Sequence, residues 1–327
     1  MKVDIKTRDF LHKLVTDYLV SLEGNLGYRS ENTVRAAKSD LGRFLDYAST
    51  KKNALAQKIL TENFVLDYIA QLKKSGLSDR SLSRHLSTLR KWFAWLENYA
   101  TNLKIDSNLQ SIRGPRLPNL LPKALSVDEI DLFFSQRKKY SRSWIDFRDI
   151  AVFELAYSSG VRVSELVNID LPSCKNSLGS LCLKNMEVEV LGKGSKWRRL
   201  PIGEKARNAI EEWLKYREHV LPTNKNFVSH NIPLFLNRFG KRLSVRGIQR
   251  RFSICSIQSN SRISITPHML RHSFASHILQ SSKNLRAVQE LLGHVNITST
   301  QIYTKLDYQF LSEVYDKSHP RAKKNNS

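Results

Sequence analysis

Cysteine is scarce: only Cys174, Cys182 and Cys255 occur in 327 residues, far apart and outside any metal-ligand spacing. They read as reduced packing residues, which points to a reducing compartment rather than a disulfide framework. Long apolar runs are also missing. No stretch of about 18 or more apolar residues exists, so no membrane span is expected. The first residues mix acids with bases and lack an apolar block before a cleavage site, so a cytoplasmic protein without a signal peptide is expected. A phosphate-cradling glycine loop is absent, because Gly192-Lys193-Gly194 lacks the spacing of a nucleotide fingerprint. Acidic residues are few and too scattered for a two-metal centre, and no cofactor is expected.

What is abundant is positive charge. Lys and Arg number 53 against 30 Asp and Glu, a net charge of +23. Such an excess points to a polyanionic partner, with nucleic acid well ahead of a membrane surface. The bland alternative is a basic protein that is merely soluble. An apolar fraction of 41% supports packed cores, and the length suits two domains.

Residues 8 to about 100 carry helical periodicity almost throughout. Phe10, Leu11, Leu14, Tyr18, Leu19 and Leu22 outline a first helix, broken by Gly24 and Gly27. Val34 to Ala48 outlines a second, and Phe64 to Leu72 a third that ends near Gly76. The fourth, Ser78 to Tyr99, carries an apolar stripe of Leu82, Leu86, Leu89, Phe93 and Leu96. Arg80, Arg84, Ser87 and Lys91 recur at the same spacing on roughly the opposite face. That face suits either DNA contact or ordinary solvation, which makes Arg80, Arg84 and Lys91 candidate DNA-binding residues.

The expected organisation is a helical domain over 1–112, a stiff linker over 113–125 containing Pro115, Pro118 and Pro122, and a mixed domain over 126–305. A C-terminal helix and basic tail fill 306–327, the tail from His319 onward reading as disordered. Within the mixed domain, Ser126 to Glu129 has the form of a capping box, and Gly160 ends a helix begun near Ile145. Glu187 to Leu191 alternates, Gly192 to Lys196 turns and Trp197 to Ile202 returns, a hairpin with lysines at its tip. Leu234 to Leu236 reads as a short strand. The fold class is mainly α with a small antiparallel β-sheet in the C-terminal domain.

The most telling stretch is Thr266 to Lys305. Thr266 and Pro267 fit the start of a helix that sets His268 and Arg271 three residues apart on one face. A second helical run stops at Gly293 and delivers His294; Tyr303 follows in a polar segment. Arginine and imidazole groups around a phenol suit attack on a phosphodiester. The Tyr303 oxygen is the nucleophile, and Arg162 and Arg271 meet charge that builds on the non-bridging oxygens. His268 and His294 donate hydrogen bonds there or help to deprotonate the phenol, and Lys193 supplies a proton to the leaving oxygen. Lys196 is the local competitor for that task and a further candidate DNA contact. Each residue alone has a plainer explanation: Arg162 suits a surface ion pair with Glu165, and Tyr303 a packing aromatic. Their joint occurrence is what favours chemistry.

At these residues the chain resembles the tyrosine recombinases of the phage integrase family. Ser159 to Leu166 resembles the first-arginine motif, and His268 to His272 the His-x-x-Arg box. Leu292-Gly293-His294, Ile302-Tyr303 and Gly192 to Lys196 resemble the second-histidine, nucleophile and lysine-hairpin segments. Asn32 through Leu41 and Ser81 through Trp95 are similar to the core-binding domain of Xer-type recombinases. Val161 departs mildly, standing where leucine is common, and the loop from Pro172 to Gly179 is not diagnostic.

The resemblance implies a two-domain clamp around double-stranded DNA and catalysis by Arg162, Lys193, His268, Arg271, His294 and Tyr303 without metal or ATP. Strands would pass through 3′-phosphotyrosyl intermediates and a Holliday junction in a tetramer on two sites, with the helix near Tyr308 to Tyr315 docking on a neighbour. The implied task is chromosome-dimer resolution at a dif-like site. A second recombinase and a DNA translocase are among the implied partners. Alternatives are a topoisomerase of the same chemistry, a phage or mobile-element integrase, and a DNA-binding module with a dead site.

Overall fold

The computed structural model describes residues 5–24, 31–51, 59–100, 105–115, 124–139, 143–171, 177–192, 196–220, 233–259, 264–293 and 305–322. It divides into two compact units, Met1–Leu120 and Leu121–Ser327.

The first unit is helical: α1 (Ile5–Gly24), α2 (Glu31–Thr50), α3 (Glu62–Lys74) and α4 (Asp79–Tyr99). Ser78 caps α4 by accepting from the Ser81 amide at 3.3 Å. The apolar stripe then faces inward as its period requires, with Leu82, Leu86, Leu89, Phe93 and Leu96 all buried beside Trp92. Phe44 of α2 sits at the centre, its ring meeting Tyr68, Trp92 and Phe93 edge-on. Each such ring contributes about 1.5–3 kcal/mol through burial, and edge-on packing suits the aromatic quadrupole.

The second unit begins with α5 (Val127–Lys139). Its cap is reciprocal: the Ser126 amide donates to Glu129 at 2.7 Å, and the Glu129 amide donates to the Ser126 hydroxyl at 3.1 Å. The next helix, α6 (Trp144–Ser159), is buried on every face from Arg148 to Ser159. A helix enclosed in this way is the axis of its domain. It packs against α8 (Glu204–Val220) and α10 (Pro267–Ser282). Between α6 and α8 lie α7 (Val163–Leu166) and the strands β1 (Gly179–Cys182), β2 (Glu187–Leu191) and β3 (Trp197–Pro201). The sheet is antiparallel in the order β1-β2-β3, with Leu181 opposite Val188 and Val190 opposite Arg198. The remaining helices are α9 (Val245–Gln258), α11 (Leu285–Leu292) and α12 (Lys305–Ser318).

The expected hairpin forms and is extended, and two other expectations need correction. The hairpin gains a third strand: β1 has only four residues and none is β-branched, so β2 supplies the order that its own sequence does not signal. Leu234 to Leu236 forms no strand; isolated bridges join Pro233 to Asp170 and Leu236 to Arg242. The C-terminal segment is built into the domain through Ala322 rather than disordered from His319. Arg321 is buried at 3% exposure, with Nε donating to Glu154 at 2.8 Å and Nη1 paired with Asp131. The Glu204 amide donates to the Ala322 carbonyl at 3.1 Å. A basic composition suggests solvation, but Glu154, fully buried on α6, gives this arginine an interior partner. The helix α12 packs on α10, α11 and β3 of its own domain, with Tyr315 buried and bonded to Ser158 at 2.6 Å.

Candidate active site

The first wall of the site is made where α6 stops. Gly160 turns into the left-handed region at φ 61°, and a side chain there would also strike the Phe274 ring. The turn buries Val161 and presents Arg162 at the start of α7, its side chain 31% exposed. One turn on, Glu165 is 5% exposed. Its carboxylate accepts from the Arg162 amide at 2.8 Å and from Arg162 Nη1 at 3.0 Å. The expected ion pair therefore exists, but in a buried setting. The same carboxylate takes both terminal nitrogens of Arg198, at 3.0 and 2.5 Å.

The second wall comes from α10. Thr266 caps it, accepting from the Met269 amide at 3.3 Å, and Pro267 occupies its first turn. His268 is exposed near the start of this helix, and Arg271 follows, partly buried. Arg271 Nη1 donates to the Gly160 carbonyl and Nη2 donates to the Leu292 carbonyl at 2.6 Å. Arg271 thus ties the end of α6 to the end of α11. Gly293, at φ 63°, closes α11 immediately before His294.

Three guanidiniums and one carboxylate share this space, leaving positive charge in excess. Burial alone would push the Glu165 carboxyl up, but bonds and charge from Arg198, with bonds from Arg162, hold it below the ordinary range. Burial chiefly, then the charges of Arg162 and Arg198, pull Arg271 down to about 10 against the opposing influence of Glu165. At neutral pH it remains a cation. Buried and preorganised, such a cluster suits an anion with spread charge, such as a phosphodiester in displacement.

Of the six expected catalytic residues, Arg162, His268 and Arg271 are described, and the two arginines belong to one cluster. Lys193, His294 and Tyr303 lie outside the described residues. Lys196 is exposed, its carbonyl accepting from the Gly192 amide at 2.8 Å at the root of the hairpin. Sequence reasoning passed over Arg198. Strand alternation carried the signal, because Trp197 and Arg199 point outward and the arginine between them must point in.

In the helical unit, Arg80, Arg84 and Lys91 are all exposed along α4. Arg84 Nη1 donates to Asp40 at 2.6 Å, and Thr88 donates to the same oxygen at 3.0 Å. Asp40 is itself buried, with His85 Nε2 at 3.3 Å. This pairing orients Arg84 while leaving its side chain 47% exposed. Arg84, Ser87 and Lys91 line one side of a cleft of ≈ 350 Å³ whose other side includes Asn32 and Thr33. Cations and small polar groups around a groove are what nucleic-acid backbone and base edges require.

Residues 123–309 match the phage integrase family, and residues 15–99 match the phage integrase N-terminal SAM-like domain. A tyrosine recombinase XerC of Ralstonia pickettii is 44% identical over 270 residues, 81% of each chain. A second, from Histophilus somni, is 42% identical over 81% of this chain and 83% of its own. Among solved structures, the XerH site-specific recombinase bound to palindromic difH substrate has a TM-score of 0.62. It is 24% identical over 87% of this chain and 79% of that chain. The Tn1549 transposon integrase in complex with transposon right end DNA has a TM-score of 0.64 at 16% identity, over 91% of this chain and 98% of that one. Both are likenesses of fold.

Proposed function

Because the chain belongs to the phage integrase family, as a tyrosine recombinase, we propose that Tyr303 cleaves and rejoins duplex DNA at a dif-like site. The Tyr303 oxygen attacks phosphorus as its proton passes to a neighbouring base, for which His268 and His294 are the candidates. The new bond joins this oxygen to phosphorus, and the bond to the 5′ oxygen of the next nucleotide breaks. Lys193 delivers the proton that the leaving oxygen needs. Arg162 and Arg271 bind the non-bridging oxygens, whose charge rises in the transition state. The 3′-phosphotyrosyl ester keeps the energy of the original linkage, so rejoining needs no ATP and reverses the same proton transfers.

The observation that carries this reading is the shared cluster of Arg162 and Arg271 around Glu165, built from helices 100 residues and more apart. The basic face of α4, with Arg80, Arg84 and Lys91, and Lys196 at the hairpin would hold the duplex. Two cleaved sites must be brought together for exchange, so the active form is a tetramer on two DNA sites, homomeric or completed by a second recombinase. In this scheme the domains are 1–112, 126–305 and the exchanging element 306–327, joined by 113–125. Chromosome-dimer resolution under a DNA translocase is the cellular task that fits it. A duplex nicked just beyond the cleavage point tests the chemistry, because release of a short fragment traps the ester. Wild-type protein should accumulate an adduct on denaturing gels and Tyr303→Phe should form none. Persistence of the adduct in that variant would assign the nucleophile elsewhere.

A further inference from the structure

Arg198 has no part in the scheme above, yet it is among the most buried cations of the site, its side chain 5% exposed. Its Nη1 and Nη2 are both committed to Glu165, at 3.0 and 2.5 Å. Its fork is turned onto the carboxylate, in a more enclosed setting than that of Arg162, whose side chain is 31% exposed. Two glycines lie against the rest of it. A Cβ placed on Gly192 would stand 2.7 Å from Arg198 Nη1. One placed on Gly293 would stand 3.2 Å from its Cδ and 3.4 Å from its Nε. At Gly192 the main chain lies closer to the arginine than a side chain permits, and at Gly293 it lies close enough that a side chain would be tight.

The places of those glycines in the chain give the contact its meaning. Gly192 immediately precedes Lys193, and Gly293 immediately precedes His294. Through Glu165, Arg198 is also joined to the amide and the guanidinium of Arg162. One buried side chain therefore meets the three segments that lead to Arg162, Lys193 and His294. Arg271 adds a second tie, holding Gly160 and Leu292 by their carbonyls.

We propose that Arg198 is a positioning residue for strand cleavage: fixed on Glu165, it sets the Arg162 turn, the root of the lysine hairpin and the end of α11 against one another. Replacing it displaces several reacting groups together without removing any of them. The proposal rests on the recombinase reading above, and its test separates the two.

The full chain is assayed on the nicked duplex at saturating protein, with binding measured separately by mobility shift. Arg198→Ala and Arg198→Lys should each slow adduct formation about 100-fold, the scale for reacting groups displaced by about 1 Å, with DNA affinity within about threefold of wild type. A double-mutant cycle supplies the readout that a general loss of stability would not move. Gly192→Ala should slow cleavage about tenfold where Arg198 is present and less than about twofold in the Arg198→Ala background, since the clash has gone. If Arg198→Ala does not fold, as judged by its melting curve, the cycle is run in Arg198→Lys, where the shorter head also relieves the clash. Cleavage by Arg198→Lys within about threefold of wild type, or an equal Gly192→Ala penalty in both backgrounds, overturns the positioning role. Absence of an adduct with wild-type protein, or its survival in Tyr303→Phe, defeats the recombinase reading itself.

Discussion

Replacing Arg321 with methionine tests whether the C-terminal segment is structural. In the native chain its guanidinium meets Glu154 through two nitrogens and Asp131 through a third, and it lies over the Phe134 ring at 4.3 Å. Glu154 is fully buried, whereas the Asp131 side chain is 49% exposed. The two partners therefore weigh differently. The Asp131 pair is screened and contributes at most about 1 kcal/mol. Glu154 would be left as a charge in the interior, and stripping a buried pair of one member costs about 3–5 kcal/mol. For a domain of this size that loss lowers the midpoint of thermal unfolding by about 10 °C. Arg321→Met with Glu154→Gln removes the stranded charge and should recover about half of the loss. Differential scanning calorimetry of the full chain at pH 7 measures both. An Arg321→Met midpoint within about 1 °C of wild type would mean that the segment contributes no buried ion pair. No relief from Glu154→Gln would mean that the cost arises elsewhere.

Two further outcomes follow from the charge clusters. Glu165 is held below its ordinary carboxyl range in the folded state, so the stability it contributes is complete above that range and is lost as pH falls through the lower folded value. The melting gap between wild type and Glu165→Gln should therefore be full at pH 7 and close as the pH is taken below about 4, and a gap independent of pH would contradict the assignment. Arg84→Ala should weaken DNA binding across sequences and lower the slope of log affinity against log salt by about 1, as loss of one phosphate contact requires. An unchanged slope by mobility shift would remove Arg84 from the interface.

Much of the local structure was legible because it is written in spacing. The burial of Leu82, Leu86, Leu89, Phe93 and Leu96 on α4 follows from a period near 3.6, and the Ser126–Glu129 cap follows from the residues themselves. The same logic set Arg162 just past the Gly160 turn and His268 one turn before Arg271. Periodicity reports which face of an element is apolar and where it stops, since those properties depend on neighbours within a few residues.

It says nothing of which face meets which. The fork between Arg198 and Glu165 joins residues 33 positions apart, and the contact of Arg321 with Glu154 spans 167. Nothing near Asp40 in the chain marks it as the anchor of Arg84, 44 residues away. Charge counts pointed to a polyanion, and motif spacing to the residues proposed to react. Only tertiary packing decided which arginines are enclosed with a buried carboxylate, as Arg198 is with Glu165, and which keep an exposed side chain while one anchors them, as Asp40 anchors Arg84. The reason is physical: a charge leaves water only where a distant element brings a partner to it, and that meeting is a property of the folded chain.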